Sequence, residues 1–170
     1  RRLLAGRNPL LPPREEPSRP GEAPFEAENR GLALGALEAL GFDPQGTRRG
    51  MIALPPDLGD YRILSLGESR LACAFSANEP ESTDRLFRAT GWAPEETALL
   101  FHHRTDRPGR LGAFLPWIRS HPWGEVVFSR DRAFRGLLDG RRGPGGLGVW
   151  RVLRGPGDLE EWIRGRDRVF

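Results

Sequence analysis

Lysine is absent from this chain: all 26 basic residues are arginine, set against 23 acidic residues for a net charge of only +3. The pI of about 10.2 follows from that absence, because guanidinium groups do not titrate off below extreme pH and one Tyr and one Cys offset little. Basic and acidic residues are interspersed, with no basic stripe and no recognisable nucleic-acid module, so nucleic acid is not expected as a partner. The lone cysteine, Cys73, excludes an internal disulfide and fits a reducing compartment. Three His without ligand spacing leave no transition-metal site, and His102-His103 reads as a loop or core pair. No apolar run approaches a membrane span, and no stretch has the pattern of a signal peptide. The first residue is Arg1 rather than Met, which reads as a fragment or a processed piece.

What is present suits a globular core with an appendage: 38% hydrophobic residues, with five Trp and nine Phe, in 170 residues. The 22 Gly and 16 Pro make it loop-rich. Pro9, Pro12, Pro13, Pro17, Pro20 and Pro24 fill residues 1–24, an expected extended tail that forms neither helix nor central strand. Apolar residues at Leu32, Ala33, Ala36, Leu37 and Leu40 predict a helix over 27–40, with Gly41 as its C-cap. Asn29 lies in its first turn, as a local cap or facing a ligand. Residues 42–50 read as polar turn and 51–54 as a short apolar run before Pro55-Pro56; 25–60 is then the end of an upstream domain plus a connector.

From Tyr61 to Phe170 the pattern becomes alternating. Strands are expected at Leu71–Phe75, Thr97–Phe101, Glu125–Phe128 and Leu147–Leu153, and Val169-Phe170 as the beginning of another. Helices are expected at 80–90, burying Leu86, Phe87 and Ala89, and at 110–120, burying Leu111, Phe114, Leu115 and Ile118. Further helices are expected near 131–138 and at 157–165, the last capped by Asp158. Strands alternating with helices at this spacing mean right-handed βαβ units: an α/β fold with a Rossmann-like, mainly parallel sheet.

The stretch Arg70–Thr83 organises the chain. A short apolar strand breaks into Ser-Ala-Asn, and Pro80 followed by Glu81, Ser82 and Thr83 opens a helix. Open α/β sheets bind ligands at such turns. A second loop, His102–Arg107, follows the next strand, and in a parallel sheet it emerges at the same edge, bringing Arg104 and Arg107 near Asn78 and Glu79. Guanidinium groups there suit phosphate or carboxylate, and Asp106 between them orients an Arg or accepts from a ribose or amine; a surface salt-bridge cluster is the equally weighted alternative. The Gly-rich segment 139–146 has two Arg but no strand-GxxxxGK-[ST]-helix pattern, and is taken as an ordinary loop. No catalytic set is assembled by these residues alone.

Residues 73–83, Cys-Ala-Phe-Ser-Ala-Asn-Glu-Pro-Glu-Ser-Thr, closely resemble the Asn-Ala-Phe-Ala-Ala-Asn-Asp-Pro-Glu-Ser-Thr signature of the poly-γ-glutamate synthase ligase subunits (PgsB or CapB type), a branch of the Mur ligases. Two more similarities stand in order: Glu28-Asn29-Arg30-Gly31-Leu32-Ala33-Leu34 resembles the Mur helix that starts His-Asn-x-x-Asn-Ala-Leu, and Arg104-Thr105-Asp106-Arg107 resembles the family's Arg-x-Asp-Arg loop. The resemblance covers residues 27–107. It implies the C-terminal part of an ATP-dependent amide ligase that joins glutamate into poly-γ-glutamate through an acyl phosphate, with ATP and magnesium as cofactors held mainly by an upstream domain. The implied arrangement is an end of the central ATPase domain at 25–60 and a Rossmann-like C-terminal domain at 61–170, truncated at its end.

By the same resemblance, Asn29, Arg62, Asn78 and Glu79 face the nucleotide, while Ser82, Arg104, Asp106 and Arg107 serve the substrate; neither a catalytic residue nor a metal ligand is assigned. Implied partners are glutamate, poly-γ-glutamate and the membrane subunits of a synthase complex, at the inner face of the cell membrane. Cys73 replaces the family's polar residue, Leu32 the second Asn of the Mur helix and Glu28 its His, and no P-loop pattern occurs in the chain. Without one, the fragment alone is expected to be inactive. A non-catalytic α/β module for an anionic ligand is the alternative.

Overall fold

The structure, a computed structural model, describes residues 25–55, 57, 59–104, 106–130 (Arg130 in its backbone only), 141–151, 153 and 155–170. The expected tail at 1–24 and the expected short helix at 131–138 lie outside the described residues. Two compact units divide between Asp57 and Leu58.

The first unit is a pair of helices, α1 (Glu26–Ala39) and α2 (Pro44–Ala53). Glu26 and Glu28 in the first turn of α1 suit its positive end. Gly41, at φ +88°, ends α1: its N–H and that of Phe42 return to the carbonyls of Glu38 and Leu37. The buried stripe of α1 is Ala27, Gly31 and Leu34, not the expected one: Leu32 and Leu40 are exposed. Both sets have helical spacing, so periodicity alone does not choose between them. The expected polar turn at 42–50 is also corrected, because α2 occupies it. The Asp43 carboxylate accepts from the Gly46 N–H at 2.6 Å and Pro44 takes the first helical position, a start signal that outweighs the glycines.

The second unit is one six-stranded sheet in the order β1-β2-β6-β3-β4-β5. The strands are β1 (Arg62–Leu66), β2 (Ser69–Cys73), β3 (Ala98–His103), β4 (Glu125–Arg130), β5 (Val149–Trp150) and β6 (Arg168–Val169). The helices are α3 (Pro80–Thr90), α4 (Pro108–Arg119) and α5 (Pro156–Arg164). The sheet is parallel except for β1, which pairs antiparallel with β2 through a two-residue turn between Leu66 and Ser69. Gly67 takes φ +68° in that turn, open to glycine at no cost. Residues 62–64 are therefore the start of a hairpin, where the sequence announced no strand. The opening strand ends at Cys73, where Ala77 N–H turns back to Ala74 O and Phe75 emerges into solvent.

Adjacent residues of a strand face opposite ways, and the packing follows that rule. Val169 packs with Trp162 and Ile163 of α5 together with Ala98 and Val127. Its neighbour Phe170 meets Phe87 of α3 edge-on at 5.1 Å and Trp117 of α4 at 6.4 Å. Helices α3 and α4 thus cover one face and α5 the other, as right-handed crossovers require when the chain runs from β2 out to β5 and then back to β6. On α3 the buried positions are Thr83, Leu86 and Phe87; Ala89, expected inside, is exposed. On α4 the buried set is Phe114, Trp117 and Ile118, with Leu111 and Leu115 only half-buried. Asp84 ties α3 to α4, accepting from Trp117 Nε1 at 3.0 Å and from Arg88 Nε at 2.6 Å, with His121 Nε2 at 3.3 Å. The fourth expected strand shrinks to β5, since Gly148 before it takes φ +53° and a Cβ there would collide with the Val126 carbonyl. Helix α5 starts from Gly155 without a side-chain cap, so Asp158 lies inside the first turn rather than capping it.

Two outcomes follow for stability. Ile163→Ala removes a side chain 2% exposed at the centre of the α5 face, and should cost about 2–5 kcal/mol in urea denaturation. Burial disfavours ionised Asp84, but the hydrogen bonds from Trp117 and Arg88 overcome it and hold the carboxyl below its ordinary 3.8. A depressed folded pKa adds stability that is present above the unfolded value and is lost as pH falls through the folded one. The gap in denaturation midpoint between the native chain and Asp84→Asn should therefore be widest near neutral pH and close below about pH 4.

Candidate functional site

Strand β6 pairs with β2 at Arg70 and Leu71 and with β3 at Ala98, and Phe170 exchanges hydrogen bonds with Ala98 O and Leu100 N–H. The C-terminal ends of β2 and β3, at Cys73 and His103, border a cavity of about 430 Å³. Leu71, Cys73, Phe75, Leu99, Phe101 and Leu159 supply apolar wall, and Asn78, Thr83, His102, Arg104, Arg110 and Ser129 the polar groups.

Two loops converge there. In the turn from β2 to α3, Asn78 Nδ2 donates to Ser76 O at 3.1 Å, which aims its Oδ1 across to the second loop. Arg107, the residue before α4, donates from Nη1 to that Oδ1 at 2.6 Å. Arg104 is clamped by Asp106 through Nε (3.0 Å) and Nη2 (2.6 Å). The hydrogen bond from Arg104, with its charge, holds the fully exposed Asp106 carboxyl below its usual range.

The expected site residues separate into groups. Asn78, Arg104, Asp106 and Arg107 stand together at one edge. Arg62 pairs with Cys73 across the β1–β2 hairpin, at the same end of β2. Glu79 and Ser82 engage each other, Ser82 Oγ donating to Glu79 Oε1 at 3.3 Å; Thr83, one residue on, is the hydroxyl that lines the cavity. Asn29 lies on the exposed side of α1 in the first unit. The loop expected at 102–107 begins later, because His102 and His103 belong to β3, with His103 buried.

Four polar residues of the cavity were absent from the sequence-based set: Thr83, Arg110, His102 and Ser129. His102 Nδ1 and Ser129 Oγ lie 2.9 Å apart on paired strands, a contact 27 residues apart in sequence that no local motif announces. Arg110 had a faint signal, three positions after Arg107 on a helix starting at Pro108. Cys73 is buried in the wall, and burial pushes its thiol up, partly offset by the charge of Arg62.

Comparison with known proteins covers the segment that holds both loops. Residues 61–139 match the family model described as the poly-gamma-glutamate synthase CapB C-terminal domain. The chain is 32% identical over 104 residues to PGA synthase CapB of Bacillus subtilis (strain 168), covering 55% of this chain and 26% of that protein. It is likewise 32% identical over 104 residues to the capsule biosynthesis protein CapB of Bacillus anthracis, covering 55% of this chain and 22% of that protein. The chain thus spans about a quarter of the length of these relatives. Among solved structures, folylpolyglutamate synthase from Thermotoga maritima superposes with a TM-score of 0.48 and 21% identity, over 86% of this chain and 35% of that one.

The Cys73 environment makes a direct chemical prediction. A thiol 4% exposed and with its pKa raised carries little thiolate near neutrality. Labelling of the folded chain by a maleimide or disulfide reagent at pH 7.5 should be much slower than labelling in urea; equal rates would place Cys73 at the surface.

Proposed function

We propose that this chain, whose residues 61–139 match the poly-gamma-glutamate synthase CapB C-terminal domain model, is the substrate-presenting part of an ATP-dependent acid–amino-acid ligase extending poly-γ-glutamate. The observation that supports the reading best is the 2.6 Å bond from Arg107 to Asn78, which joins the two loops carrying the family resemblance at one sheet edge.

In this reading the loops divide the work. Arg104 and Arg107, fixed by Asp106 and Asn78, hold the incoming glutamate by a carboxylate and orient its amine towards the activated acceptor. Arg62, at the far end of the hairpin, faces the phosphates, and Asn78 and Glu79 border the nucleotide. The fit to a nucleotide's anionic part rests on these cationic and amide groups. Magnesium is a different matter: among the described residues no group of three His, Cys, Asp or Glu stands together, so the proposal assigns the metal to residues outside them. When bound, ATP supplies the phosphoryl group that activates a carboxylate for attack by the amine; everything this chain does is binding and positioning.

No described helix is long and apolar enough to cross a membrane. Work at the inner membrane face beside membrane subunits of a synthase complex is part of the proposal, as are the remaining contacts to Asn29 and Ser82.

The test is steady-state kinetics of the full-length ligase. Arg104→Ala or Arg107→Ala should raise the glutamate requirement roughly tenfold to a hundredfold with the ATP requirement unchanged, the loss of about 1.5–3 kcal/mol for a charge-assisted contact. Arg62→Ala should instead slow ATP consumption. Equal loss for both substrates in the Arg104 and Arg107 variants would contradict the carboxylate role, and measurable ATP turnover by the 170-residue chain alone would misplace the phosphate site.

A further inference from the structure

The turn from β2 to α3 carries Asn78, and what holds that turn lies outside it. Within the turn, Ala77 N–H returns to Ala74 O at 3.2 Å and Asn78 Nδ2 donates to Ser76 O at 3.1 Å, bonds that shape it without anchoring it. Among the described residues, residues 76–78 receive two hydrogen bonds from beyond the turn, both from arginines. Arg107 Nη1 donates to Asn78 Oδ1 at 2.6 Å, and Arg110 Nη2 to Ala77 O at 2.8 Å. The two arginines stand three positions apart where α4 begins and grip consecutive residues of the turn. They are not equivalent. Arg107 is exposed, whereas the Arg110 guanidinium carbon lies 5.6 Å from the Phe101 ring of β3 and 5.1 Å from the Phe114 ring of α4. Contact with two buried rings ties that group to the sheet and to α4 at once. Packing does not explain an arginine at this position. Burial, with the charges of Arg107 and Arg104, weakens the hold of Arg110 on its proton, so the cation is disfavoured where it stands. An apolar side chain would lie against the same rings without that cost. What it could not supply is the bond to the carbonyl of buried Ala77.

We propose that Arg110 is a positioning residue: by holding Ala77 O it sets the turn so that Asn78 meets Arg107, and thereby fixes the direction in which Arg107 faces a substrate carboxylate. The inference rests on the preceding reading that Arg107 serves the glutamate, and adds what keeps Arg107 in place. Every residue of a turn has two soft backbone dihedrals, so a turn released at Ala77 carries its next residue, Asn78, with it. An exposed arginine is long and flexible, and binding through it costs the freedom it gives up. The bond to Asn78 restricts Arg107 before a substrate arrives, and Arg110 keeps Asn78 where that bond can form. Arg104 needs no such support, because Asp106 in its own loop fixes it through two bonds. Arg110 thus acts through Asn78 and Arg107, from a place supported by the rings of Phe101 and Phe114.

The experiment is a double-mutant cycle between Arg110 and Asn78 in the full-length ligase, read as the separate requirements for L-glutamate and ATP. Arg110→Met keeps an unbranched stem against the two rings and loses the donor. It should raise the glutamate requirement roughly tenfold and leave the ATP requirement unchanged. Arg110→Lys, which keeps a donor for Ala77 O, should recover part of that loss. In the Asn78→Ala background, Arg110→Met should add less than about twofold, because the residue through which it acts is gone. The same loss in both backgrounds would overturn the inference, and so would equal loss for glutamate and ATP, the mark of a merely structural role. Arg110→Met without effect while Arg107→Ala raises the glutamate requirement would also overturn it and leave the preceding reading standing. Arg107→Ala without effect would sink the preceding reading instead. The clasp is then read in the 170-residue chain, where Arg110→Met should shift the Asn78 side-chain amide resonances and unshifted resonances would refute it. Should Arg110→Met fail to fold, the cycle is run with Arg110→Lys, whose smaller loss must likewise vanish in the Asn78→Ala background.

Discussion

Everything in the second unit depends on the return of the chain to place β6 between β2 and β3. The sheet link is short: Arg70 N–H to Asp167 O on one side, and Phe170 with Ala98 and Leu100 on the other. Through it the antiparallel β1–β2 hairpin joins the parallel β3–β4–β5 half. The same two residues seed both cores, Val169 towards Trp162 and Ile163, Phe170 towards Phe87 and Trp117.

Two polar clusters of this unit are built differently. Asp84 lies between α3 and α4 with both oxygens engaged, by Trp117 and Arg88, and with His121 beside it. That cluster is saturated and explains packing alone. At the sheet edge, Asp106 is committed to Arg104, and the Glu79 carboxylate takes the Ser82 hydroxyl, so neither meets Arg110. Gathering three cations around one paired carboxylate is unfavourable for folding, and the fold tolerates it here because the phenyl faces of Phe101 and Phe114 and the Ala77 carbonyl support the most buried one. An arrangement that folding alone would not favour is where binding is expected.

How much could be read from the sequence follows from what is local. The bounds of helix α3 were legible, with Pro80 marking its start, though Ala89 was expected on the wrong side; Gly91 in a left-handed conformation ends it. The parallel strands β3 and β4 were legible as apolar runs, though β3 extends through two histidines that resembled loop. Helix α2 was hidden because its glycines outvoted Asp43 and Pro44. The hairpin was hidden because β1, with Leu64 and Ser65 exposed at a sheet edge, lacks the apolar density of a buried strand. The insertion of β6 depends on partners some 70 and 100 residues away and leaves no trace in local periodicity.

The site shows the same division more sharply. Resemblance located Asn78, Arg104, Asp106 and Arg107, since those residues stand in contiguous signatures, and all four lie at one edge. It could not rank them, because rank depends on which donors are already used. Arg110 differs from Arg104 and Arg107 only through a carbonyl 33 residues back and two rings contributed by β3 and α4. Cys73 teaches the converse: a substitution that looks disabling within the motif puts a buried, protonated thiol into an already apolar wall. The motif marks the sheet edge where the two loops meet, and the distribution of filled and unfilled hydrogen bonds distinguishes the arginines there.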